Sequence, residues 1–426
     1  MNLSEKYRPQ VHFTPSKNWM NDPNGLLFYK GKYHLFYQHN PYADIWGNMS
    51  WGHASSTDLM TWEEHPVAIA CGENYGIFSG SAVVDYTNTT GFGSIDNPAM
   101  VAIFTIHQND ESNQSQALAY SLDEGITWTL YEGNPVLDLS MPDFRDPKVW
   151  RDDEKNRWLM AVVKPKEFKV SFFQSENLKE WSLLSEFGDQ GAIGGCWECP
   201  DLFPLTTSDG VTKWILLVSI NPGGPNGGSA TQFFIGHWDG TSFIADDKEI
   251  RWIDHGFDNY AGVTFNDAPD GRRVFIGWMS NWDYARDVPT SPWRSAMTLP
   301  RELSLESRDG KFFLIQEPVR EFSAPTHRVE MSTTKTSSFT IVNGDKSLLV
   351  TYSPEARELT IDRSASWFGQ THLLHTAHLS DPTFTLVLDK SGIEIFGDQG
   401  ATVLTDLTLC DGGELIAGPG VTLNSL

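Results

Sequence analysis

The chain has 426 residues, too many for one ordinary core, so two domains or one large repeat domain with an appendage are expected. Its 31 basic against 55 acidic residues give a formal charge of −24, which disfavours nucleic acid, whose phosphates want a basic surface. No apolar run is long enough to span a bilayer, so no membrane partner is expected.

The first residues, "MNLSEKYRPQ", hold no apolar signal-peptide core. A cytoplasmic protein or the mature form of a secreted one is expected; sequons at Asn48, Asn88 and Asn113 favour the secreted form slightly. Next comes "NWMNDPNGLLFYKGKYHLFYQHNP" (18–41), where the bare acid Asp22 precedes a hairpin-like run. Further short β-rich runs recur at 100–107, 157–163, 213–220 and 272–280, bounded by Gly-containing turns, and helical periodicity is scarce. The pattern is all-β. The 16 Trp, 25 Phe and 12 Tyr fit it, most of them as core and some as sugar-stacking surfaces.

A repeat runs through these strands. "SSTDLMTW", "YSLDEGITW" and "QSENLKEW" each place a Ser, an acidic or amide turn, and then a Trp that opens a strand: Trp62, Trp128 and Trp181. Spacings of 66 and 53 residues match a blade of about four strands, so the region to residue 305 holds about five propeller blades. From 306 to 322 the texture is that of a connector with Pro318. From 323 to 426 alternating strands with NG, SG and DG turns predict a β-sandwich.

A propeller's natural site is the funnel on its axis, fed by one residue from each of several blades. Three acids suit it: Asp22 in "WMNDPNG", Asp146 in "DFRDPKVW" and Glu198 in "CWECPDLF". Each is followed by Pro, directly or after one residue, which stiffens the backbone beside the acid. Any one of them alone reads as a turn residue; three, expected in three successive blades, read as a site. Paired carboxylates are what glycoside hydrolysis needs. Glu198, between Trp197 and Cys199, is expected in apolar company that would suit a general acid. Arg145 could orient Asp146, hold a sugar hydroxyl or form a plain ion pair. The four cysteines (Cys71, Cys196, Cys199, Cys410) make no disulfide framework. "CWEC" lacks two further zinc ligands at matching spacing and any βαβ setting, so buried thiols are expected, with no metal and no cofactor. The Gly-rich stretch 220–234 lacks the ending of a phosphate loop and reads as a rim loop.

Taken together, "WMNDPNG", "RDPKVW" and "WECPDLF", with "FYQHNP", "WGHASSTDLMTWEEHPVAIA", "FSGSAVV" and "LDKSGIEIF", resemble glycoside hydrolase family 32, the invertases, inulinases and levanases. The likeness runs from about residue 8 to the end. It implies a five-bladed β-propeller joined to a β-sandwich, the latter short for the family. It implies Asp22 as nucleophile, Glu198 as general acid/base and Asp146 as transition-state stabiliser. Asn21, Gln38, Trp46, Phe78, Ser79 and Arg145 match positions lining a fructosyl pocket, and Trp282 and Tyr260 match its aromatic wall. The implied reaction retains configuration through a covalent fructosyl-enzyme, without metal, on fructan or sucrose. "WECPDLF" with "NPGGPNGGSATQFFIG" is similar to bacterial levanases and exo-inulinases, which implies exo-acting release of fructose. A fructosyltransferase shares every catalytic residue and stays open. A binding-only propeller would be expected to have lost one of the acids. A sialidase, suggested by the "SLDEGITW" turn, would need an arginine cluster that these acid-rich motifs fit poorly. Nothing in the sequence indicates an oligomer.

Overall fold

The computed structural model describes residues 5–425; residues 1–4, on which part of the N-terminal reading rests, and residue 426 lie outside them. Among the described residues the regular structure is β apart from three-residue 3-10 turns, and no helix is long and apolar enough to cross a membrane.

Five sheets form between residues 18 and 318. Their first strands are Asn18–Tyr29, Tyr75–Val84, Arg145–Asp152, Cys196–Thr206 and Tyr260–Thr264. Each packs on the first strand of the next sheet, and the fifth packs on the first, so the ring closes. This is a five-bladed propeller with those strands innermost. The second strands are mostly buried, and that of blade three, "RWLMAVVK" (Arg157–Lys164), is aliphatic through its middle because it is covered on both faces by neighbouring blades. The outermost strand of the first blade, Glu63–Ile69, is largely open to solvent and carries Glu63, Glu64 and His65.

The Ser-to-Trp repeat is the turn before each outermost strand in blades one to three. Ser56, Ser121 and Ser175 hydroxyls donate to Asp58 (2.9 Å), Asp123 (2.8 Å) and Asn177 (3.3 Å). Those acceptors in turn take backbone N–H groups of Thr61, Thr127 and Glu180. Trp62, Trp128 and Trp181 then lead into strands Glu63–Ile69, Thr129–Leu130 and Ser182–Gly188. The ring is clasped where Trp293–Arg294 pairs in parallel with Asn18 and Trp19 of blade one.

The connector placed at 306–322 needs correction. Residues Arg301–Arg308 and Lys311–Pro318 form a hairpin, in register from Arg301↔Pro318 to Arg308↔Lys311, and complete the fifth blade. That hairpin lacks the Ser-to-Trp turn, so its blade character is hidden in the sequence.

Two five-stranded sheets follow between residues 327 and 425. Alternation is clear in Ser337–Asn343, where Phe339 and Ile341 face the core that Val350, Leu386 and Ile395 also fill. The sandwich's edge strand Thr402–Leu407 is not left open. Propeller residues 255 and 258 bond to it, His255 N–H to Val403 O (2.7 Å) and Asp258 N–H to Thr405 O (3.0 Å). Behind this seam lie buried ion pairs: Arg301 with Glu394 (2.8 Å) and Asp254 (3.0 Å), and Arg363 with Asp258 (2.8 Å).

His12 belongs to the same seam, its ring between Asp389 (2.8 Å) and Glu394 (3.0 Å). Burial opposes the imidazolium, but the two carboxylates prevail and lift its pKa from 6.5 to about 9. Asp389 is held below the ordinary carboxylate range; burial opposes this, and His12 and the backbone N–H groups of Gln10 and Val11 outweigh it. A raised base stabilises fully below its unfolded pKa of 6.5 and loses that contribution as pH rises through about 9. A lowered acid contributes above its unfolded value of 3.8 and loses it as pH falls toward the lower folded value. The seam is therefore strongest between these limits. Thermal unfolding should show stability falling by up to about 3 kcal/mol from pH 6.5 to above 9. In His12→Gln that part of the pH dependence should vanish.

Candidate active site

Every innermost strand is broken at the same level. Its pairing with the second strand skips two residues: from Met20 to Pro23, Ile77 to Gly80, Arg145 to Lys148, Glu198 to Asp201, and Tyr260 to Val263. The residues pushed out are Asn21–Asp22, Phe78–Ser79, Asp146–Pro147, Cys199–Pro200 and Ala261–Gly262. Such bulges bend a strand and re-aim its side chains. Proline suits two of them, as Pro147 and Pro200, because it has no N–H to offer the ladder, and Pro23 closes a third. Asp146 (φ 65°), Cys199 (φ 47°) and Ala261 (φ 53°) adopt the left-handed conformation that the kink requires. Gly80 is forced for another reason: a Cβ there would lie 2.1 Å from Ile103 O.

The three acids converge here, but not from three successive blades. Asp22 comes from the first, Asp146 from the third and Glu198 from the fourth. The second and fifth blades fill the equivalent positions with Phe78–Ser79 and Tyr260.

Asp22 accepts from Ser79 Oγ (2.6 Å) and Asn21 Nδ2 (3.0 Å). Cys199 Sγ lies 3.6 Å from its Oδ2 and 3.7 Å from Asp146 Oδ2, so one thiol bridges two aspartates. Asp146 also accepts the Cys199 backbone N–H (3.0 Å), and its own N–H donates to Thr105 Oγ1 (3.0 Å). Burial and then the charge of Glu198 raise the Asp22 pKa, against the bonds from Ser79, Asn21 and Cys199. Asp146 is raised by burial and by the charges of Glu198 and Asp22, with Arg145 opposing. These carboxylates sense one another.

Glu198 differs from expectation. Strand alternation sends Trp197 into the core between blades three and four, where its Nε1 donates to Ala192 O (2.9 Å). The company of Glu198 is polar instead. Arg145 reaches its Oε1 through Nε (3.1 Å) and Nη2 (3.0 Å), and the Tyr260 hydroxyl donates to its Oε2. Arg145 does not grip the Asp146 carboxylate; its other partners are Asp143 (3.2 Å) and Gln114 Oε1 (3.3 Å). It is a clamp across blades three and four that holds Glu198.

The matched binding residues divide into positioning groups and walls. Asn21 is buried, held by Trp19 Nε1 (2.7 Å), and orients Asp22. Gln38 is buried and donates to Asn24 (2.8 Å) below the same bulge. Trp46 is 38 % exposed and meets Phe78 edge-on at 6.3 Å. Trp282 stacks on Trp19 at 5.9 Å. Tyr260 is not an open wall: it is buried, and its part is the hydroxyl on Glu198. Sequence reasoning missed Cys199 as the bridge, Asp143 and Gln114 behind Arg145, and His107, whose ring stacks under Phe78 at 4.3 Å. Asp143, in the same "DFRDP" motif, was the one with a usable signal. Among the described residues no group of His, Cys, Asp or Glu side chains could hold a metal ion.

Tyr260→Phe removes a hydrogen bond to a charged group while keeping the ring. Steady-state kinetics should show kcat reduced by about 10-fold or more, with KM little changed and the melting temperature near the parent's.

Three acids on separate blades, two of them in distinct hydrogen-bond settings, with aromatic rings at the rim, define a propeller-based glycoside hydrolase site. The profile for the glycosyl hydrolases family 32 N-terminal domain matches residues 12–318, and that for the family's C-terminal domain matches 306–416. The levanase of Bacillus subtilis (strain 168) is 40% identical over 98% of this chain and 69% of its own length. An extracellular exo-inulinase of Aspergillus ficuum is 39% identical over 95% of this chain and 90% of its own. The solved exo-inulinase from Aspergillus awamori superposes with a TM-score of 0.91 at 34% identity, covering 100% of this chain and 98% of that one. Fructofuranosidase from Schwanniomyces occidentalis complexed with fructose gives a TM-score of 0.90 at 33% identity, with coverage of 100% and 98%. The chain belongs to glycosyl hydrolase family 32.

Proposed function

We propose that this chain is a retaining β-fructosidase that releases fructose from the ends of fructans such as levan or inulin, and from sucrose. The observation that carries the reading is the unlike setting of two neighbouring carboxylates. Asp22 is held by Ser79 and Asn21 with no cation on it, and Glu198 is gripped by Arg145 and the Tyr260 hydroxyl. In this reading Asp22 attacks the anomeric carbon of the fructosyl ring while Glu198 protonates the departing oxygen. A fructosyl ester on Asp22 results. Glu198, now a carboxylate, takes a proton from water, which attacks the same carbon and frees Asp22. Asp146 accepts hydrogen bonds from ring hydroxyls as positive charge grows. Relatives named levanase, exo-inulinase and invertase, and a related structure holding fructosylnystose, support these substrates. Action outside the cell, where polymeric fructan is met, fits the relatives named extracellular.

Incubation with sucrose, inulin and levan, with products resolved over time, tests this. Fructose is expected as the sole early product from inulin and levan, and fructose with an equal amount of glucose from sucrose. Short oligomers from the polymers would mean endo-attack. Longer chains made from concentrated sucrose would mean transfer rather than hydrolysis.

A further inference from the structure

The innermost strands begin at the acids and end at a second cavity. It has a volume of about 1020 Å³ and lies at the opposite mouth of the propeller. Phe203 lines it and sits five residues beyond Glu198 on one strand, at most roughly 16 Å away at about 3.3 Å per residue because a bulge intervenes. Its walls come from different blades: Tyr86 from the second, Trp150 from the third, Phe203 and Trp214 from the fourth, and Arg273 from the fifth. Tyr86 is 52 % exposed, so a ring face is open there.

Polar groups are fixed behind the walls of this mouth. Asp201 is buried, and its Oδ2 takes the Thr264 N–H (2.7 Å), the Thr264 hydroxyl (2.8 Å) and Lys148 (3.2 Å). Its Oδ1 has no protein partner, and neither has Nη1 of Arg151, which also lines the cavity. Arg273 lies over the Phe203 ring at 4.8 Å, with only long contacts to Thr264 Oγ1 (3.3 Å) and Phe265 O (3.5 Å). Six carboxylates line the cavity against four basic side chains, which disfavours a phosphate or any polyanion. The exposed Tyr86 ring, beside lining carboxylates and guanidinium groups, suits a neutral ring that is apolar on its faces and hydroxylated at its edge.

We propose that the lower mouth is a second, non-catalytic carbohydrate site that holds a neutral oligosaccharide. That the sugar is a fructan segment rests on the catalytic reading above. A polymer anchored there is kept near the enzyme, which raises the effective concentration of its ends without touching the chemistry.

The test uses the full-length Asp22→Ala chain, which cannot consume its ligand, titrated calorimetrically with a fructan tetrasaccharide. Two sites per chain are expected. Adding Tyr86→Ala, an exposed change that leaves the core intact, should weaken one of them by about 10-fold or more and spare the other. In the active enzyme Tyr86→Ala should raise KM for polymeric fructan several-fold and leave sucrose kinetics unchanged. One site only in Asp22→Ala, two sites both indifferent to Tyr86→Ala, or inorganic phosphate bound in place of sugar would each overturn the proposal. Sucrose turnover by the parent enzyme judges the catalytic reading separately.

Discussion

Asp22→Ala and Glu198→Ala should each lose β-fructoside hydrolysis by about 10⁴-fold or more in kcat, with the fold intact. Asp22 would form the bond to carbon and Glu198 would supply the proton to the leaving oxygen, so neither step has a substitute at hand. The two variants should differ in stability. Burial and the charge of Glu198 push the Asp22 carboxyl up, which means its ionised form is held at a cost. Removing it should leave the melting temperature unchanged or raise it, the common result where a site holds strain for function. Glu198→Ala strips Arg145, a buried guanidinium, of one of its two carboxylate partners and should lower the melting temperature. Turnover near the parent's in either folded variant would remove that residue from the reaction.

Asp146→Asn should lower kcat by at least about 10²-fold, equivalent to about 2.7 kcal/mol, with KM changed far less. The substitution keeps shape and removes charge. Asp146 would bond fructosyl hydroxyls more strongly as the ring flattens toward an oxocarbenium ion, so its loss falls on the transition state. A purely structural part for Asp146, pairing with Arg145, is disfavoured because the carboxylates that Arg145 engages are Glu198 and Asp143. Its charge is held against burial and, with the field of Arg145 in its favour, against two neighbouring carboxylates. The melting temperature of Asp146→Asn should therefore stay level or rise. A lower melting temperature with kcat near the parent's would restore the structural reading.

The propeller was legible because its outer turns repeat a local chemistry. A Ser hydroxyl bonds an Asp or Asn two residues on, and a Trp then enters the last strand. The last strand of the fifth blade, Lys311–Pro318, was placed in a connector because its hairpin, 301–318, is built from ordinary strand residues without that turn. The acids were legible because Pro beside an acid marks the bulge, yet the order of blades was not. Phe78–Ser79 occupies the second blade's bulge with no carboxylate to flag it. The surroundings of Glu198 were misread for a geometric reason: strand neighbours point to opposite faces, so Trp197 turns into the core and says nothing about what Glu198 meets, while the bulge brings Cys199 into the site beside the aspartates. Arg145, 53 residues away, and Tyr260, 62 residues away, supply its partners. The seam between propeller and sandwich is more distant still, with His12 and Asp389 separated by 377 residues. No local pattern encodes such pairs.

Covalent trapping decides whether Asp22 is the nucleophile. In Glu198→Ala the first step, driven by a fructoside with an activated leaving group, no longer needs an acid, while the second lacks its base, so the fructosyl-enzyme should accumulate. After acid quench and digestion, mass spectrometry should find one fructosyl increment, on the peptide that contains Asp22. An increment on another carboxylate, or none while the parent enzyme first releases fructose of inverted configuration, would contradict a retaining mechanism through Asp22.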